Sequence, residues 1–306
     1  KRQDVIIAVG ARFDDRITNT PSLFAPNARI VHIDVDPASI SKIINADIPI
    51  VGQVKDSLSA LIKEIKRSKI KIDTDALESW NQQVAKWREM HGLDHELYLK
   101  KNKSQMILPQ VVVQELYHAT NGNAWVTSDV GQHQMFVAQY YHFNKPRRWV
   151  NSGGLGTMGF GLPAAMGVKL AFPKDEVVCV TGEGSIQMCI QELSTCLQYN
   201  LPIKIININN EALGMVRQWQ DMNYGGRHSA STYSDSLPDF VKLAESYGHI
   251  GMKITKKADL KKSLEKAFSI KDRLVFVDVY VDPNEHVYPM LVAPNGSMKD
   301  MWIKKN

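Results

Sequence analysis

The chain has 306 residues, 44% of them hydrophobic and 23% charged, with a formal net charge of +5. That length suggests two domains, and the composition provides for a sizeable core. The lysines of 61–71, 100–103 and 253–271 are mixed with acids and read as solvated faces, which argues against a nucleic-acid partner. No apolar run approaches the ~18 residues of a membrane span, and no secretory signal is present, so a cytoplasmic protein is expected. Cys179, Cys189 and Cys196 include no Cys-x-x-Cys pair and read as small buried hydrophobes in a reducing compartment. The opening "KRQDVIIAVGARFDDR" has no initiator methionine and starts just before a strand, as expected of a fragment.

In chain order, "DVIIAV" (4–9) predicts a buried strand and "RIVHID" (29–34) a second. Residues 56–66 predict an amphipathic helix. Residues 67–104 are polar and lysine-rich, with a helical stretch at 75–91, and read as a linker. A longer unit follows at 105–290, leaving 291–306 as a tail. "LPQVVVQELYHAT" is helical, with a proline near its start. "AWVTSDV" is a strand running into "GQHQM", and "RRWVNSG" a short strand entering a glycine-rich loop. "GLPAAMGVKLAF" is a helix, "EVVCVTG" a strand, "SIQMCIQELSTCLQYN" a helix and "IKIININN" a strand. "LPDFVKLAESYG" is a helix and "LVFVDVYV" a last strand. Helices alternating with apolar strands predict an α/β fold of doubly wound parallel sheets with helices on both faces.

Ligands of such sheets sit beyond the carboxyl ends of the strands. Two such places stand out. The loop after Asn151 holds Gly154-x-Gly156-x-x-Gly159, which fits a dinucleotide fingerprint, or glycines that let a loop turn tightly. Glu183 follows the strand at 177–181, and Asn210 follows the strand at 203–208. A strand–helix–strand connection makes those strands parallel neighbours and brings both side chains to one edge. A carboxylate and an amide oxygen suit Mg²⁺, which phosphate and water commonly complete, and a helix start near Ser185 favours a phosphate. Alternatively, Glu183 and Asn210 cap the helices after them, although Glu is a poor N-cap.

"GEGSIQM…ININNEALGMV" resembles the diphosphate-binding motif of thiamine diphosphate enzymes. With "SDVGQHQMF", "SGGLGTMGFGLPAA", "SLPDFVKLAESYGH", "GARFDDR" and "HIDVDP", the chain resembles the catalytic subunits of bacterial acetolactate synthases over essentially its whole length. The resemblance implies Glu183, Asn210 and the Ala212 carbonyl as Mg²⁺ ligands. It implies Gln132, His133, Gly156, Met158, Gly182, Gly184, Ser185, Leu213, Gly214 and Met215 around thiamine diphosphate, with Met158 as an apolar wedge. It implies Gly10, Ala11, Arg12, Phe13, Asp14, Asp34, Val35, Gln53 and Val54 around FAD, making 1–66 part of a flavin-type middle domain and 105–290 the thiamine diphosphate domain. Arg16, Met215 and Trp219 are expected to line the substrate channel.

The implied reaction decarboxylates pyruvate on thiamine diphosphate and joins the two-carbon unit to a second pyruvate or to 2-oxobutyrate. Implied partners are a second catalytic subunit, in a homodimer or tetramer, and a small regulatory subunit. Two departures from the family pattern stand out. The family has Asp where this chain has Glu183. The amino-terminal domain with the glutamate that activates the cofactor has no counterpart here, so no catalytic residue is assigned and this segment alone is expected to be inactive. Glyoxylate carboligase and pyruvate oxidase share the metal motif, and a nicotinamide-dependent dehydrogenase would use the Gly154–Gly159 loop instead.

Overall fold

A computed structural model describes residues 3–91, 104–233, 236–291 and 301–302. The end of the expected linker and most of the expected tail lie outside these residues. Two compact units divide the chain: Lys1–Gly92 with Tyr288–Asn306, and Leu93–Val287. Of the expected tail, the described residues Leu291, Met301 and Trp302 fall in the first unit.

In the first unit, β1 (Val5–Val9), β2 (Arg29–Asp34) and β3 (Ile48–Val51) form a parallel sheet in that order. A short α1 (Asp15–Thr18) follows β1, and α2 (Val54–Ser68) and α3 (Thr74–His91) follow β3. The expectation that β1 is buried is corrected. Val5, Ile7 and Val9 are exposed, and among the described residues no second layer covers that face. Ala8, Phe13 and Ile30 make the small core on the other side. The strand β3 was not read from the sequence, because "IPIV" carries a proline that demotes a strand pattern. The edges β10 (Met290–Leu291) and β11 (Met301–Trp302) pair antiparallel.

The second unit is built on a six-stranded parallel sheet ordered β5-β4-β6-β7-β9-β8. Its strands are β4 (Trp125–Ser128), β5 (Trp149–Asn151), β6 (Val177–Thr181), β7 (Lys204–Asn209), β8 (Ile250–Ile254) and β9 (Val275–Tyr280). β6, β7 and most of β9 are buried on both faces, as continuous apolar runs predict. On one face, α6 (Gly161–Ala171), α8 (Glu192–Gln198) and α10 (Phe240–Ser246) cover Val177, Cys179, Ile205 and Phe276. On the other face lie α4 (Pro109–Thr120), α5 (Gln132–Tyr140) and α11 (Lys257–Ser269). All three cysteines are free and buried.

The single helix expected after β6 is corrected too. The segment breaks into α7 (Glu183–Ile186), a 3₁₀ turn (Gln187–Cys189) and α8. Short i→i+3 bonds, Leu193 N–H to Ile190 O and Ser194 N–H to Gln191 O, tighten the chain between them. A further helix, α9 (Gly214–Asn223), follows β7. Chain order places β5 on one side of β4 and β6 on the other. The carboxyl ends of β4 and β6 therefore flank a topological switch point, where open parallel sheets bind ligands.

Candidate thiamine diphosphate and metal site

A cavity of about 70 Å³ opens at that switch point, with Gly131–His133 after β4, Gly182–Ser185 after β6, and Asn210 and Ala212–Val216 after β7 in its walls. It is far smaller than the roughly 300 Å³ or more of a drug-sized pocket, so it suits one end of a ligand. Met158 and Phe136 add apolar wall. Neighbouring parallel β6 and β7 bring Glu183 and Asn210 to one edge, as expected. Gly156, with φ 69°, is in the loop after β5 and outside this wall.

The Glu183 side chain is buried, and its Oε1 accepts the Ala212 N–H at 2.6 Å. The Asn210 Oδ1 accepts the same N–H at 3.2 Å. Neither bond caps a helix, since α7 and α9 have no side-chain cap, and both oxygens converge on the cavity wall beside the Ala212 peptide. Burial pushes the Glu183 carboxyl up to about 8, and the Asp278 carboxylate adds to the shift. No cluster of three His, Cys, Asp or Glu suited to a metal occurs among the described residues. Glu183, Asn210 and the Ala212 peptide carry a carboxylate, an amide and a carbonyl, hard oxygens of the kind Mg²⁺ takes. Glu211, between Asn210 and Ala212, adopts the left-handed φ of 56°.

Other features fit a diphosphate. His133 is buried, its Nε2 has no hydrogen-bond partner, and burial holds its imidazole down at about 4. A neutral imidazole has one N–H, so Nε2 can donate to an oxyanion only in the tautomer that gives up the Asp129 carbonyl. A Cβ at Gly182 would meet His133 Nδ1 at 2.9 Å, and one at Gly184 would meet Tyr233 Oη at 2.6 Å. The glycines therefore keep the backbone close to whatever the cavity holds. The N-termini of α5, α7 and α9 all point into the same edge.

Several site residues were not read from the sequence. The buried Asp129 accepts Gly159 N–H at 2.7 Å and Thr181 Oγ1–H at 2.9 Å, and burial raises its carboxyl above the usual range. Asp129 thus takes a donor of the glycine-rich loop, which leaves the dinucleotide reading of Gly154–Gly159 without that N–H. Asp278 on β9 is buried and accepts from Asn207 and Asn209 at 2.8 and 3.1 Å. Asn209 Oδ1 in turn accepts Glu211 N–H at 3.1 Å, tying the loop after β7 to the sheet. Gln218 on α9 is buried and bonded to Gln132. None carries a motif; each is a polar residue whose partner lies far along the chain.

Met215 lines the cavity, while Trp219, one turn along α9, is half-buried and outside its wall. Arg16 is exposed on α1 in the first unit. The residues expected around a flavin follow the three strands of that unit: Gly10–Asp14 after β1, Asp34 and Val35 at the end of β2, Gln53 and Val54 after β3. All lie at one carboxyl edge. Phe13 is buried against Phe24 and His32, Arg12 pairs with Asp14 at 2.8 Å, and Gln53 caps α2 by backbone position.

Residues 129–279 match the family described as thiamine pyrophosphate enzyme, C-terminal TPP binding domain. Residues 1–61 match the family's central domain. The chain is 56% identical over 304 residues to the acetolactate synthase large subunit of Buchnera aphidicola subsp. Schizaphis graminum (strain Sg), 99% of this chain and 52% of that protein. It is 55% identical over 304 residues to the acetolactate synthase isozyme 3 large subunit of Escherichia coli (strain K12), again 99% and 52%. It is 41% identical over 302 residues, 97% and 47%, to the acetolactate synthase large subunit of Corynebacterium glutamicum. The chain spans about half the length of the curated relatives it matches. With residues 129–279 and 1–61 matched to two of its domains, the chain belongs to the thiamine pyrophosphate enzymes, as a segment similar to acetolactate synthase large subunits.

Proposed function

We propose that the complete protein is an acetolactate synthase, condensing the two-carbon unit of pyruvate with a second pyruvate or with 2-oxobutyrate. The observation that carries this reading is the convergence of Glu183, Asn210 and Ala212 at the carboxyl edge of β6 and β7. Glu183, Asn210 and the Ala212 carbonyl would hold Mg²⁺. His133, Gln132 and the backbone of Gly182–Ser185 would hold the diphosphate, and Leu213 and Gly214 would close over it. Thiamine diphosphate, when bound, supplies the electron sink for decarboxylation. Met158 and Met215 present apolar, adaptable surface that keeps water from the reacting end. Gly156 is assigned to the cofactor's pyrimidine side.

FAD at Gly10–Asp14, Asp34, Val35, Gln53 and Val54 is part of this reading, supported by their shared strand edge. Met215 and Trp219 are assigned to the substrate, and Arg16 on resemblance alone. The proposed partners are a second catalytic subunit and a small regulatory subunit, in the cytoplasm. Among the described residues no helix is long and apolar enough to cross a membrane.

The test is Glu183→Gln in the complete protein, with thiamine diphosphate affinity read by calorimetry in the presence of Mg²⁺. Loss of a charged first ligand should weaken binding by more than the roughly 10- to 100-fold typical of residues behind the ligands. Unchanged affinity would overturn the ligand assignment. Flavin absorbance in the same preparation separates this reading from flavin-free relatives.

A further inference from the structure

An amide side chain is nearly symmetric in shape and opposite in chemistry at its two ends. Asn210 can offer a metal its oxygen only if something decides which end faces the cavity. Asn210 Nδ2 donates to Gln132 Oε1 at 3.0 Å. Gln132 Nε2 donates to Gln218 Oε1 at 2.7 Å. The Gln218 amide pairs with one peptide group: its Oε1 accepts Val287 N–H at 2.9 Å, and its Nε2 donates to Val287 O at 3.0 Å.

Backbone polarity cannot be reversed, since N–H only donates and C=O only accepts. The Val287 pairing therefore admits one orientation of Gln218. Its Oε1 then requires a donor from Gln132, which turns Gln132 Oε1 toward Asn210. That oxygen requires Asn210 Nδ2, which leaves Asn210 Oδ1 facing the Ala212 N–H and the cavity. Gln218 is fully buried and Gln132 is 5% exposed, so bulk water cannot stand in for either partner. A Cβ at Gly214 would collide with both Gln132 Oε1 and Asn210 Nδ2, so the glycine gives this chain of amides its room.

We propose that Gln218 is a positioning residue for the metal: anchored on Val287, it sets through Gln132 which end of Asn210 faces the cation. The proposal rests on Asn210 being a Mg²⁺ ligand. Residues behind metal ligands that fix their orientation commonly govern affinity.

Mn²⁺ affinity in the presence of thiamine diphosphate, measured on the complete protein by the paramagnetic resonance of free Mn²⁺, provides the test. Gln218→Met keeps length and bulk but has no polar ends, and should weaken Mn²⁺ about tenfold or more. Gln218→Glu keeps the accepting Oε1, and a carboxyl buried there keeps its proton and donates it to Val287 O as the amide does, so affinity should return close to native. Asn210→Asp supplies an oxygen at both ends, so orientation no longer matters, and its second oxygen opposes Gln132 Oε1. In that background Gln218→Met frees Gln132 to turn and should leave affinity unchanged or raise it. Such a reversal between the two backgrounds supports the proposal. Equal losses in both, or no loss in the native background, would overturn it and make Gln218 a packing residue. Native affinity in Asn210→Ala would overturn the ligand reading itself. Should Gln218→Met fail to fold, neutron diffraction from deuterated native crystals decides. Asn210 deuterons directed at Gln132 support the proposal, and the Asn210 oxygen in that place overturns it.

Discussion

Histidine 133 shows how a single side chain can carry both binding and stability. Burial holds its imidazole at about 4, whereas the unfolded chain titrates near 6.5. Between those values the unfolded state binds more protons, so stability rises with pH across the window, is complete above about 6.5 and is lost as pH falls toward 4. At the linkage slope of about 1.4 kcal/mol per pH unit the window is worth about 3 kcal/mol. Urea denaturation of the cofactor-free protein at pH 7 and pH 4 should show the native chain losing about that much more than His133→Gln. Equal losses would remove His133 from the account. At this scale Glu183 and Asn210 were legible because they stand at strand ends, where the topology says to look. Gln218, Asp129 and Asp278 were not. A buried polar residue is made meaningful by its partner, and Gln218 meets Val287 only after the whole sheet has formed.

Elements were legible where their apolar pattern was unmixed. β6 and β7 are continuous runs buried on both faces, and sequence alone placed them as neighbours. β8 escaped because "IGMKI" is an edge strand, half-buried and interrupted by glycine. α11 escaped because its lysines dominate the reading, although Leu260, Leu264, Ala267 and Phe268 line its buried face. The glycine that hides β8 also seats a helix. A Cβ on Gly251 would meet the Val241 carbonyl at 2.7 Å and its Cα at 2.8 Å, at the start of α10. Gly251→Ala should therefore push α10 outward and cost about 1–3 kcal/mol, the range for overpacking. A thermal unfolding scan reads this directly, and an unshifted midpoint would show that α10 yields without loss.

For the whole molecule, the two units differ in how much core they own. The first has Ala8, Phe13 and Ile30 in its cluster and an open face on β1. The second buries both faces of its central strands. Opening free energies follow buried apolar contact, so the units should exchange amide hydrogens at different rates. In hydrogen–deuterium exchange on this chain, β1–β3 should label well before β6, β7 and β9. Simultaneous labelling would mean that one cooperative unit spans both. The sequence showed two assemblies of parallel strands, but not that β10 and β11 belong with the first, since that association is made by contacts distant in sequence.

Glu211 has one more consequence. A side chain held at φ 56° stores on the order of 1 kcal/mol that glycine would not. Designers seeking a hardier chain would replace it with glycine first. Yet that backbone twist is what sets Asn210 and Ala212 on either side of one turn. Glycine takes that same φ without strain, so Glu211→Gly would relax the turn with Asn210 and Ala212 still in place, and durability would rise without moving either side chain.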